Sequence, residues 1–118
     1  MRGIRWAGRG KSEAQRAVFW ALAGEAFWRA GRHAQASRHL QRAIDRLSTL
    51  GNRLELGRAR FRLARAHQAT GSAREAAEQA EEAAALFKAL GARYDQRALS
   101  AWCHASVLAS PASPEEVS

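Results

Sequence analysis

Apolar residues recur along this chain at helical intervals. In residues 31–51 they fall at Ala36, Leu40, Ala43, Leu47 and Leu50; in residues 71–91 they fall at Ala76, Ala80, Ala83, Phe87 and Leu90. Both series step by four and three, which keeps one face of an α-helix apolar over about four turns. Alanine and arginine dominate the chain, and both are good helix formers. The β-branched residues that favour strands are scarce. Gly51 and Gly91 follow the two apolar series and fit the position just past a helix end, where glycine takes the left-handed conformation cheaply. Gly31 and Gly71 close the preceding segments. Ser12, with Gln15 three residues on, reads as a capping box that starts the first helix. The pattern predicts five helices, at about 12–30, 33–50, 53–70, 73–90 and 93–109. The turns between them are short, so neighbours should run antiparallel.

The same pattern is an internal repeat. Gly31 and Gly71, Ala36 and Ala76, Ala43 and Ala83, Leu50 and Leu90, and Gly51 and Gly91 are identical pairs at one constant offset. Gln35 with Glu75 and Leu47 with Phe87 add conservative pairs. Two helix hairpins therefore repeat, and a third copy begins after Gly91 with its first helix only. The expected fold is all-α: an antiparallel helix-hairpin solenoid of two full repeats plus one unpaired C-terminal helix. Residues 12–110 form its domain, residues 1–11 a basic flexible arm and residues 111–118 a disordered tail.

Formal net charge is +8. Arg2, Arg5, Arg9 and Lys11 place a large part of it in residues 1–11, which hold no acid. Such charge favours acidic partners of any kind. Residues 2–23 have the outline of a signal peptide, but Glu13 interrupts the basic stretch and the apolar run is short. No stretch approaches the ~20 apolar residues of a membrane span. A cytoplasmic protein without a membrane association is expected.

The chemistry of catalysis is sparse. Cys103 is the only cysteine, which excludes an intrachain disulfide and a zinc site built on Cys pairs. Glycines are scattered at helix ends, with no phosphate-cradling loop. His33, His39, His67 and His104 fall on different predicted helices or faces, so no metal or cofactor is expected. Cys103 and His104 are neighbours on one helix and point about 100° apart, a poor arrangement for a nucleophile and its base. Glu78, Glu81 and Glu82 read as a solvated outer face. No enzyme is expected.

One sequence stretch is more specific. The first unit reads Trp20-x2-Ala23-Gly24-x2-Phe27-x3-Gly31-x4-Ala36-x3-Leu40-x2-Ala43. It resembles the tetratricopeptide consensus, in which small residues let paired helices approach and larger ones fill the gaps beside them. The second unit keeps Leu63, Ala64, Gly71, Ala76, Ala80 and Ala83, with Arg60 and His67 where aromatics would stand. The period, from Gly31 to Gly71, is longer than the family's usual one by more than a helical turn, and the closing proline is missing. This long, forty-residue form, with its Thr49-Leu50-Gly51 and Ala89-Leu90-Gly91 ends, is similar to repeats in large bacterial signalling and transcription-regulating ATPases.

The resemblance implies a protein-binding module with a concave groove lined by the first helix of each unit. Carried over, the lining comprises Val18, Ala21, Leu22, Glu25, Trp28 and Arg29 from the first unit and Arg58, Phe61, Arg62, Arg65 and Gln68 from the second. The third adds Ala98, Ala101, Trp102, Ala105 and Leu108. Ala21 and Glu25 stand where chaperone-binding members carry the lysine and asparagine of a carboxylate clamp, so that specificity is not implied. Aromatic residues and arginines dominate binding at interfaces, which makes a protein or peptide partner, acidic in character, the first expectation. A nucleic-acid-binding accessory protein using the basic arm and the Arg58, Arg62 and Arg65 stripe is the alternative. The fifth helix carries Tyr94, Ala98, Ala101, Trp102, Ala105 and Leu108 on one stripe, with Leu99, Cys103 and Val107 on the next. A helix apolar over so much of its circumference should be buried, so self-association to a homodimer, or docking of a partner, is expected there.

Overall fold

The computed structural model describes the backbone of residues 2–109 and the side chains of residues 13–106. Five helices follow one another: α1 (Arg2–Arg29), α2 (His33–Leu50), α3 (Arg53–Ala69), α4 (Ala73–Leu90) and α5 (Arg93–Ala109). The described residues contain no strand. Each helix packs on the next, and α3 also touches α1. The result is two layers, with α1, α3 and α5 in one and α2 and α4 in the other.

Helix ends fall within a residue of the apolar pattern at nearly every turn, and the turns explain why. Gly31, Gly51, Gly71 and Gly91 all take positive φ, between 65° and 82°. The residue after each donates its N–H back to a carbonyl five residues earlier: Arg32 to Phe27 at 2.8 Å, Asn52 to Leu47 at 3.1 Å, Ser72 to His67 at 2.8 Å and Ala92 to Phe87 at 2.9 Å. These are four copies of one glycine-terminated helix stop, which satisfies carbonyls that the helix leaves open. The stops are evenly spaced, so each repeat consists of two equal halves. At the start of α3, the Asn52 side chain accepts from the Glu55 N–H at 3.3 Å.

The start of α1 differs from expectation. Its helical backbone begins at Arg2 and runs through the residues read as an arm, so Ser12 lies within the helix and not at its start. Gly3, Gly8 and Gly10 each lower helix propensity by about 1 kcal/mol, but no proline blocks the backbone. Residues 111–118, expected as a tail, lie outside the described residues.

Two apolar clusters form the core. The first joins α1, α2 and α3 through Ala17, Ala21, Leu40, Ala43, Ile44, Leu47, Ala59, Leu63 and Ala66. The second joins α3, α4 and α5 through Ala64, Ala80, Ala83, Phe87 and Leu99. The small residues of the repeat are at the closest approaches. Ala36, Ala64 and Ala76 are buried, and a Cβ placed on Gly24 would lie 2.6 Å from Leu40 Cγ. The fifth helix turns Leu99 into the second cluster, with Trp102 and Cys103 half-buried beside it.

A candidate protein-binding groove

A groove of about 530 Å³ crosses α1, α3 and α5. Its walls include Val18, Leu22 and Glu25 from α1, Arg58, Phe61, Arg62 and Arg65 from α3, and Ala98 from α5, all expected lining residues. Helical spacing places them together, since 18, 22 and 25, and 58, 61, 62 and 65, each fall on one face. Glu55, Tyr94 and Asp95 complete the walls and were not foreseen there. A signal for two of them was present: Glu55 and Asp95 are carboxylates at equivalent positions of successive repeats. Ala21 was expected in the groove but is buried in the first core cluster. Gln68 is half-buried and lies off the groove wall.

Trp28, Arg29 and Trp102 were expected to line the groove but are not among its wall residues; they adjoin it in a run of aromatic rings and guanidinium groups that reaches the wall at Phe61 and Arg65. The Arg65 guanidinium lies 5.5 Å from the Trp28 ring centre and 5.7 Å from that of Phe61. Phe61 meets Trp102 edge to face at 5.6 Å. Arg29 lies over Trp28 at 5.5 Å. The run therefore passes from α1 through α3 to α5. Cation–π and edge-to-face contacts of this kind contribute roughly 0.5–1.5 kcal/mol each. Trp28, Phe61 and Trp102 are all half-buried, with part of each side chain in the core and part left at the surface.

The arginine stripe is not a row of free cations. Arg58 donates from Nε to Asp95 Oδ1 at 3.0 Å and from Nη1 to Glu55 at 2.8 Å. The bond to Asp95 foremost, and the one to Glu55 behind it, hold its pKa above the ordinary guanidinium value against the opposing effect of burial. Arg62 donates to Glu25 at 3.1 Å, and Glu25 also accepts from Arg29 at 2.9 Å. Three of the arginines expected to face an acidic ligand are thus neutralised by the chain's own carboxylates. Among the described residues, Arg65 is the groove arginine with aromatic neighbours and no carboxylate partner. Arg62 Nη1 is buried without an acceptor.

The fifth-helix stripe divides. Tyr94 is 83% exposed and borders the groove with Ala98. Ala101 and Ala105 are exposed, whereas Trp102 turns inward to Phe61; the Leu108 side chain lies outside the described residues. The adjacent stripe opens on a second cavity, of about 580 Å³, between α4 and α5, bordered by Ala80, Ala84, Leu99 and Cys103. Burial pushes the Cys103 thiol pKa up, which disfavours the nucleophilic thiolate. His39 Nδ1 lies 2.9 Å from the Gln35 carbonyl oxygen and its ring sits 4.8 Å from that of Phe27. Among the described residues no group of three His, Cys, Asp or Glu side chains could hold a metal, and no helix is long and apolar enough to cross a membrane.

The sequence profile described as tetratricopeptide repeat matches residues 15–89, from the second half of α1 to the last turn of α4. No curated protein and no solved structure matches the chain.

Proposed function

The chain belongs to the tetratricopeptide repeat family, whose repeats are non-catalytic protein-interaction modules, and on that premise we propose that the groove across α1, α3 and α5 binds a peptide or helix of another protein. The observation that carries this reading is the presence of Phe61 and Arg65 in the groove wall, with Trp28 and Trp102 packed against them. These supply aromatic anchors and a guanidinium, the residue types that contribute most at interfaces.

Charge narrows the partner. Arg58 and Arg62 already hold carboxylates, so a strongly acidic ligand gains little from them. Arg65 favours one acidic residue set beside apolar ones. Arg62 Nη1 would gain an acceptor if a ligand carbonyl reached it, relieving a cost of roughly 1–3 kcal/mol. The same pairing weakens the nucleic-acid alternative, because phosphates would have to compete with Asp95, Glu55 and Glu25 for the stripe. Tyr94, Ala98, Ala101 and Ala105, with the cavity between α4 and α5, support docking of a further segment at that end of the array.

The test is selection from a displayed random-peptide library on the immobilised chain, followed by calorimetry on the selected peptides. Arg65→Ala and Phe61→Ala should each weaken binding by about 1 kcal/mol or more. Peptides whose affinity is unchanged in both variants would remove the groove from the reading.

A further inference from the structure

The outer faces of α2 and α4 carry opposite charge at equivalent positions of the repeat. Arg38 and Arg42 on α2 correspond, one repeat on, to Glu78 and Glu82 on α4. All four side chains are exposed. Each repeat also anchors one of them from the neighbouring layer. Arg42 lies over the Trp20 ring at 4.4 Å, and Glu82 pairs with Arg60 at 2.6 Å; Trp20 and Arg60 are themselves equivalent positions of the two units. Equivalent positions are therefore in contact in both units, with a cation on an aromatic ring in the first and an anion on a guanidinium in the second. Arg38 and Glu78 form no ion pair among the described residues.

We propose that this face pairs with a second copy of the chain, α2 of one protomer against α4 of the other. Two arrangements bring the α2/α4 layers of two copies face to face about a twofold axis in the contact plane. An axis across the helices puts α2 on α2 and α4 on α4, setting like charges together. An axis parallel to the helices puts α2 on α4 twice, at the same height along each helix. Equivalent repeat positions then face each other, so Arg38 meets the partner's Glu78, each unpaired in its own chain among the described residues, and this pair forms twice. Arg42 stands opposite the partner's Glu82, whose charge Arg60 already shares. The charge exchange between the two units selects this second arrangement, which closes as a dimer. It leaves the groove on the opposite layer open. The face offers charges and alanines with little large apolar surface, so the dimer is weak and salt-sensitive.

Sedimentation equilibrium of the full chain tests it. At about 20 mM salt the parent should dimerise, and the dissociation constant should rise about tenfold or more by about 300 mM, where screening shortens the reach of exposed charges. Arg38→Glu and Glu78→Arg should each abolish the dimer at low salt, with circular dichroism checking that both remain helical. Mixing the two variants should restore it as a heterodimer, because every reversed charge again meets its opposite. The exchanged chain, R38E with E78R, should homodimerise like the parent and tests the same point in one polypeptide. A parent that stays monomeric at low salt overturns the proposal, as does a failure of both the mixture and the exchanged chain to associate. A dimer that survives both single reversals also overturns it; loss of that dimer in Trp102→Glu would move the contact to the fifth helix.

Discussion

Gly57 lies directly against the ring of Phe87: a Cβ placed on it would stand 2.7 Å from the ring's Cε1. One repeat earlier the same two positions hold Ala17 and Leu47, both buried in the first core cluster. The second unit enlarges the residue on its outer-layer helix and removes a methyl from the facing one. Volume is conserved across the pair, as close packing requires. Gly57→Ala should therefore destabilise the chain in spite of alanine's better helix propensity. Overpacking costs about 1–3 kcal/mol and the propensity gain offsets about 1. In a Phe87→Leu background, which recreates the first unit's pair, the sign should reverse and Gly57→Ala should stabilise by up to about 1 kcal/mol. Denaturant melts of the four chains in this cycle measure the coupling. Additive effects would show that the two side chains do not share the space.

A second pair obeys the same rule with the sizes exchanged. Gly24 admits Leu40, while the equivalent Ala64 is buried with Ala80 in its cluster. Ala64→Leu has no space to enter and should cost about 1–3 kcal/mol. A thermal melt that leaves this variant as stable as the parent would contradict the register of α3 on α4.

Much of this fold was legible because two signals coincide. The four-and-three stepping of alanine, leucine and phenylalanine marks the buried faces, and the evenly spaced glycines mark the stops. Together they locate α2, α3, α4 and α5 to within a residue. The groove residues Glu25, Arg58, Phe61, Arg62 and Arg65 were named through the family resemblance, which assigns the groove to the first helix of each unit; helical spacing then sets those of one helix on one face. Their pairing was not legible. That Arg58 meets Asp95 and Arg62 meets Glu25, each on a neighbouring helix of the same layer, depends on how those helices cross, which periodicity along one helix does not encode. The fifth helix was ambiguous for a related reason. Apolar residues cover most of its circumference, and burial goes to Leu99, flanked by Trp102 and Cys103, in preference to a stripe made mainly of alanines. The early start of α1 escaped notice because glycines and arginines read as coil when no apolar face accompanies them.

Cys103 gives a chemical probe of the fifth helix. It is half-buried against the second core cluster, and burial raises its thiol pKa. Less thiolate is then present near neutral pH, so alkylation by iodoacetamide should be slower than for a free cysteine in denatured chain at the same pH. The rate should rise as pH is raised through the thiol range, and it should rise at constant pH if α5 is loosened. Reaction as fast in the native chain as in the denatured one would place the sulfur in water.

The ion pair between Arg58 and Asp95 should be what ties the fifth helix to the third across the groove. Arg58 reaches two carboxylates, but only one of them joins helices: Glu55 lies one turn away on α3, whereas Asp95 is on α5 and accepts from both Nε at 3.0 Å and Nη2 at 3.3 Å. The Asp95 side chain is 14% exposed and that of Arg58 38% exposed, so solvent screens the pair only in part. A forked guanidinium–carboxylate contact of this kind contributes about 1 kcal/mol, above the typical exposed pair. Asp95→Asn should therefore speed amide exchange along α5 by a factor of about five, leaving α1 and α2 unchanged. Glu55→Gln removes an equally short contact that lies within one helix, and it should leave exchange in α5 nearly as in the parent. High salt should move the parent toward the Asp95→Asn profile and have little effect on that variant, because the charge it would screen is already gone. Equal acceleration of α5 by both substitutions would mean that the charge of Arg58, and not its bridge to Asp95, holds the helix in place.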